Sequence, residues 1–204
     1  MTETSNTDAG QTEDLVIYDF DPRNLPTEYL RAVGLVAMAA AQTESIVGQL
    51  IGALVRADNI ETLALCAHMT GPLKDHVARS LLEMRAPHSG AVDDVDDLLD
   101  AIQEAMAKRN ALVHNPLIRH PTKEQVFSHR LKARGSLQLE LRPISVQEIE
   151  EEAALIYEAG IALGGYMLLH GLRPGDHPAP IREPLDRSKK AREKRRKLAN
   201  RGGI

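Results

Sequence analysis

Apolar residues recur at three- and four-residue spacing through most of this chain, and each such run predicts an amphipathic helix. The longest covers 27–55, where Leu30, Val33, Val36, Ala40, Thr43, Val47, Leu50, Ile51 and Leu54 make one stripe. Asn24-Leu25-Pro26 marks its start, with the proline in the first turn. Gly34, Gly48 and Gly52 weaken this helix and suit places where another helix comes close. Two shorter helices follow. One, 60–69, carries Leu63, Leu65, Cys66 and Met69; Gly71-Pro72 breaks it. The next, 73–84, places Leu73, Val77, Leu81 and Met84 on one face. A fourth opens on Asp93-Asp94-Val95-Asp96-Asp97, where acids complement the positive end of the helix dipole. Its stripe is Ile102, Ala105, Met106, Arg109 and Val113, and it stops at about His114 because Pro116 disfavours helical geometry at Asn115.

The period then changes to two. After a loop at 119–123, residues 126–132 and 137–142 alternate, with Leu137, Leu139 and Leu141 on one face and Arg134-Gly135-Ser136 as turn residues between them. This predicts a β-hairpin, which needs other structure to pack on. Ser145-Val146-Gln147-Glu148 is a capping box that starts a last helix, 146–169. Its inward residues are Ile149, Ala153, Ile156, Gly160, Leu163 and Met167, and Gly164-Gly165 is the place for a kink. The pattern as a whole predicts an all-α bundle with one small β-hairpin before the last helix.

Polar and charged stretches divide the rest. Residues 1–22 read as a disordered N-terminal tail, in which Leu15-Val16-Ile17-Tyr18 is a short apolar arm, 23–172 as the helical domain, and 173–204 as a linker and basic C-terminal tail. Hydrophobic residues make up 43 % of the 204, aromatics only 3 %, and there is no Trp, so the core is Ala, Leu, Ile, Val and Met. The single cysteine, Cys66, excludes an internal disulfide. No signal peptide and no uninterrupted apolar run of about 18 residues is visible, so a cytoplasmic protein without a membrane partner is expected. Nine basic residues and one acid lie in 187–201, out of 25 basic and 29 acidic in the chain. The remainder is therefore acidic by about 12 charges. Two readings of the basic arm stay open. Arg187, Lys189, Lys190, Arg192, Lys194, Arg195, Arg196 and Lys197 bind RNA phosphates, or the arm is a solubilising tail that touches its own acidic body.

Several chemistries find no residues to carry them. The acid run lacks the alternating oxygens and central Gly of a calcium loop, and the spacing of His68, His76 and His88 matches no metal set, so no metal and no cofactor is expected. Those histidines read as surface residues. Gly-rich phosphate loops and Ser-centred nucleophile elbows are missing from the sequence, as is an aromatic stacking surface. One stretch does stand out: AIQEAMAKRNALVHNP at 101–116. Asn110 and His114 are four apart and share a helix face. Arg109 and His114 are five apart, roughly 140° around the helix, a gap a long Arg side chain closes. A guanidinium, an amide and an imidazole thus converge at a helix end. Glu44, mid-way along the first helix, is either a partly exposed charge or a buried partner for Arg109.

Arg109-Asn110 followed by His114 resembles the signature of the HEPN superfamily: an Arg, a polar residue, then a His four to six residues after the Arg. Ala40-Ala41-Gln42-Thr43-Glu44 carries an acid similar to the acidic residue often found on the superfamily's first helix. The resemblance covers 27–172 in architecture and only a few residues in detail. It implies a HEPN-like antiparallel helical bundle and a metal-independent endoribonuclease that cleaves RNA through 2′-hydroxyl attack. Arg109, Asn110 and His114 would be catalytic and Glu44 supporting. A homodimer in which two motifs face one cleft is also implied, as is a toxin or phage-defence role with an antitoxin or regulatory protein as partner. The alternative is a non-catalytic helical dimerisation or RNA-binding module, since many members of the superfamily have lost activity.

Overall fold

The computed structural model describes residues 18–85, 89–122, 124–133, 137–175 and 188–199. Six α-helices and a three-stranded antiparallel sheet form among them. Two compact units divide the chain. One joins the described residues up to Leu25 with Asn115–Ile144 and holds the sheet; the other joins Pro26–His114 with the chain from Ser145 onward and holds the helices.

The helical unit contains α1 (Thr27–Val55), α2 (Asn59–Cys66), α3 (Gly71–Arg85), α4 (Ser89–His114), α5 (Val146–Leu169) and α6 (Lys189–Ala199). Its spine is the pair α1 and α5. On α5 the six inward residues read from the sequence are the six that are buried, and Ser145 and Glu148 make both bonds of the capping box. On α1 the expected stripe is buried from Val36 to Leu54, but Leu30 is exposed and Ala32 takes its place inside. Val47, Leu50, Ile51 and Leu54 of α1 pack with Ala78 and Leu82 of α3, Val92, Val95, Leu99 and Ile102 of α4, and Leu163 and Met167 of α5.

Close helix approach depends on glycine at two points. A Cβ on Gly160 of α5 would lie 3.1 Å from Thr43 Cβ and 3.2 Å from Thr43 Cα on α1. The Thr43 hydroxyl donates to the Ile156 carbonyl oxygen at 2.9 Å in the same crossing. A Cβ on Gly52 would meet the Thr62 side chain of α2, with Cγ2 at 2.7 Å. Gly48 leaves ordinary contact with Cys66, and Gly34 faces open space. The sequence therefore placed the close approaches one for three on α1, and the partner at Gly52 is this chain's own α2.

Other boundaries shift for physical reasons. The inward face of α3 is Ala78 and Leu82, with Val77 and Leu81 half-buried beside them, while Leu73 and Met84 are exposed. A small residue at 78 lets the helix settle one residue around from the all-large stripe. Gly71 and Pro72 begin α3 rather than merely ending α2, as a proline in the first turn permits. α4 starts at Ser89, so the acid run lies inside the helix rather than at its opening. Asp93 and Asp96 are buried, and their partners are arginines, not the helix dipole.

The sheet unit corrects the hairpin to three strands. β2 (Val126–Ala133) and β3 (Leu137–Pro143) pair as expected, with His129 opposite Leu141 and Arg130 opposite Glu140. β1 (Leu117–Arg119), partly read as a loop, adds to the other edge of β2, with Ile118 opposite Phe127. Three residues are too few to show a period of two. Asp19 bridges Arg119 through two backbone hydrogen bonds, at 3.1 and 3.0 Å. Residues 1–17, including most of the expected arm, lie outside the described residues, as do His88 and the turn at 134–136.

α1 and α5 are long and apolar enough, by length and composition, to cross a membrane. In the structure each buries one face within the bundle.

Tyr166 on α5 carries a defect that yields a prediction. Its hydroxyl is buried with no hydrogen-bond partner among the described residues. Burial, then the charge of Asp94, push its pKa up to about 12. The unfolded phenol ionises near 10, so between pH 10 and 12 the unfolded state releases a proton that the folded state keeps. Fold stability is therefore untouched by this ionisation below pH 10 and falls as pH rises toward 12. Tyr166→Phe should remove this alkaline loss and, by deleting an unpaired buried hydroxyl, raise stability at neutral pH by about 1 kcal/mol. Urea unfolding of both proteins at pH 7 and pH 11 checks this; a Phe variant as alkali-sensitive as wild type would sink it.

Candidate functional site

The motif lies on the last turns of α4. The apolar stripe runs out there: Ile102 and Ala105 are buried, Met106 and Arg109 are half-buried, and Val113 and His114 are exposed. The helix thus changes from a core element to a site wall within about three turns. Arg109 Nη1 donates to Asn110 Oδ1 at 2.8 Å, which steers the guanidinium along the helix. Its Nε is buried without a hydrogen-bond partner among the described residues. A buried donor with no acceptor is costly unless something arrives to accept from it.

Arg109, Asn110 and His114 all line one solvent-open cleft of about 620 Å³ between α1, α3 and α4. Its floor is apolar, with Val47, Ile102 and Met106. Glu44 of α1 reaches the same cleft, so the structure brings together the four residues read from the sequence. The pairing differs from the sharper expectation, however. The carboxylate of Glu44 faces Lys74 Nζ at 3.6 Å, and no bond from Glu44 to Arg109 forms among the described residues. Lys74 stands in the fourth position of α3 and can reach α1, whereas Arg109 is turned along its own helix by Asn110.

Lys74, Asp75 and Gln103 are cleft residues that the sequence did not single out. Lys74 has only 13 % of its side chain exposed, and its ion pair with Glu44 is longer than a direct hydrogen bond. Gln103 Nε2 donates to Asp75 Oδ2 at 2.7 Å, and Asp75 also accepts from Arg79 Nε at 3.1 Å. Burial alone would lower the pKa of Arg79, but Asp75, Asp100 and Asp96 more than offset this and hold it above the usual value. This group is thus an internal brace for α3 against α4. No local signal marks Lys74, since its role depends on where α3 lands.

Cys66 does not offer a nucleophile. Burial pushes its thiol up against the opposing influence of Lys74, which keeps it protonated near neutrality.

The basic arm is not a free tail. Residues 189–199 form α6, which lies along the acidic half of α4. Arg195 grips Asp93 through Nε at 2.8 Å and Nη2 at 2.6 Å. Arg192 Nη1 lies 3.1 Å from both Asp97 Oδ1 and Asp100 Oδ2, and Arg196 also pairs with Asp97. Lys189, Lys190, Lys194 and Lys197 are exposed, and Arg187 lies outside the described residues. His68 and His76 are on the surface, as read.

Compared with family models, curated proteins and solved structures, the chain matches none.

Proposed function

We propose that this chain is a metal-independent endoribonuclease of the HEPN type, built on a HEPN-like antiparallel helical bundle. The observation that carries the reading is that Arg109, Asn110 and His114 line one open cleft rather than being buried in the bundle. RNA supplies the nucleophile. His114 takes the 2′-hydroxyl proton as the 2′-oxygen bonds to phosphorus; the bond from phosphorus to the 5′-oxygen then breaks, and that oxygen leaves with a proton. Arg109 stabilises the charge that builds on the non-bridging oxygens, since its guanidinium fits two of them at once. Asn110 orients Arg109 by the bond it accepts. The products are a 2′,3′-cyclic phosphate and a 5′-hydroxyl. His114 is exposed, and a second copy whose own His114 protonates the leaving oxygen would complete the site.

The test is cleavage of a defined RNA by wild type and His114→Ala, with the product ends identified and sedimentation run at the same micromolar concentration. The variant should lose about 10²–10⁴-fold in rate with its melting temperature unchanged. A chelator should leave the rate as it was. Intact cleavage in the variant, or strong inhibition by chelator, overturns the chemistry; a wild type that is monomeric yet active overturns the shared site. RNA binding without any cleavage would leave the non-catalytic module as the reading.

A further inference from the structure

α6 carries two kinds of cation on two opposite faces. At 100° per residue, Arg192, Arg195 and Arg196 fall within one sector and Lys190, Lys194 and Lys197 within the sector directly across from it. The arginines are engaged: all three are paired with Asp93, Asp97 or Asp100 of α4. Arg192 and Arg195 are half-buried, and the Asp93 side chain is only 4 % exposed. The three lysines are exposed and make no ion pair among the described residues. Residue type follows the task. Guanidinium forks suit partly buried bidentate pairs with carboxylates, and compact ammonium groups suit hydrated contacts with phosphate.

We infer that α6 is a docked polyanion-binding element. Its arginine face clamps it to α4, and Lys190, Lys194 and Lys197 form a row that binds the phosphate backbone of a single-stranded nucleic acid. This narrows the eight cations read from the sequence to three that contact phosphate and three that hold the helix in place. The docking matters to the partner. With the arginines neutralised against aspartates, the lysine row keeps its positive charge on the face of α6 opposite the clamp. A fixed row of charges also meets a backbone at less entropic cost than a free tail does. The chemistry argues against a lipid surface, because interfacial helices need a large apolar face and α6 offers only Leu198 among large apolar residues. The inference stands apart from the cleavage reading, since it concerns binding alone.

The experiment uses full-length His114→Ala protein, so that the RNA stays intact, and a labelled 20-nucleotide single strand as RNA and as DNA of the same sequence. Binding is measured at several salt concentrations for this protein, for K190Q/K194Q/K197Q and for R192Q/R195Q/R196Q added to it. The lysine variant should lower the slope of log affinity against log salt by roughly 2, at about 0.7 for each phosphate contact, equally for RNA and DNA. Its melting temperature should not change. The arginine variant should melt several degrees lower, because Asp93 loses its clamp. An unchanged slope in the lysine variant overturns the proposal. So does a loss of slope in the arginine variant alone, which would mean that α6 binds as a free arm through its other face. A loss confined to RNA would show sugar or base reading instead of backbone contact. Binding of wild type to phosphatidylserine vesicles but to neither strand would assign the face to membranes.

Discussion

Arg109→Lys should lower RNA cleavage by about 100-fold while the protein melts within a degree or two of wild type. The expected size follows from what a guanidinium does at a phosphate. Removing one preorganised donor from a site where charge develops costs on the order of 10²–10³ in rate. Lysine keeps the charge but loses the planar fork, the second donor and the link to Asn110 Oδ1 that aims the side chain. The expected stability effect is small for a separate reason. Arg109 Nε has no hydrogen-bond partner among the described residues, so replacing it breaks no buried pair. The lost rate should appear in kcat, because the fork matters most when the phosphate carries its extra charge. Lys74 supplies the comparison. It is a second cation in the cleft, loosely held by Glu44, and a contact to substrate phosphate from Lys74 would show as a rise in KM in Lys74→Met. A fully active Arg109→Lys enzyme would remove Arg109 from the chemistry. An unfolded one would show that its role is structural.

What could be read from the sequence was what each segment decides locally. α5 announced itself fully, because its stripe, its capping box and its glycine at 160 all lie within one helix. α3 did not, because the choice between a Leu73 face and an Ala78 face depends on how closely α1 and α4 come. The acid run of α4 shows the same limit more sharply. Within the sequence it looked like a favourable helix start; in three dimensions it is the shared counterion for Arg79 on α3 and for the arginines of α6, up to 102 residues away. The motif residues were legible because Arg109, Asn110 and His114 sit on neighbouring turns of one helix. Of the two readings of Glu44, the partly exposed charge is the one the structure shows, facing Lys74 rather than Arg109, and Lys74 was not legible at all. Long-range ion pairs leave little trace in local spacing, and a sequence rich in both signs allows many pairings. The structure chooses by which helix end reaches which face.

The same reasoning makes Gly160 the most sensitive position in the spine. Gly160→Leu should prevent stable folding, and Gly160→Ala should destabilise by about 2 kcal/mol, against the usual gain from replacing a mid-helix glycine. Two terms compete in the alanine variant. Helix propensity favours it by up to about 1 kcal/mol. Overpacking opposes it by about 1–3 kcal/mol, because the new methyl would press on Thr43 Cα as well as on its side chain, and a backbone atom on a packed helix cannot turn away. If α1 and α5 separate to relieve the clash, the bond from the Thr43 hydroxyl to the Ile156 carbonyl lengthens, and the buried hydroxyl loses its acceptor. At about 2–4 °C per kcal/mol for a chain of this size, the alanine variant should melt roughly 4–8 °C below wild type. Gly34→Ala is the matched control. It lies on the same spine, in helix, with nothing within 4 Å of the added methyl, so only the propensity term acts and the variant should be as stable as wild type or more so. Thr43→Ala removes the hydroxyl oxygen that the added methyl would meet first, so it should cost less in the Gly160→Ala background than in wild type, a non-additivity expected only of residues in direct contact. Should Gly160→Ala prove as stable as Gly34→Ala in thermal melts, the two helices do not meet at this glycine.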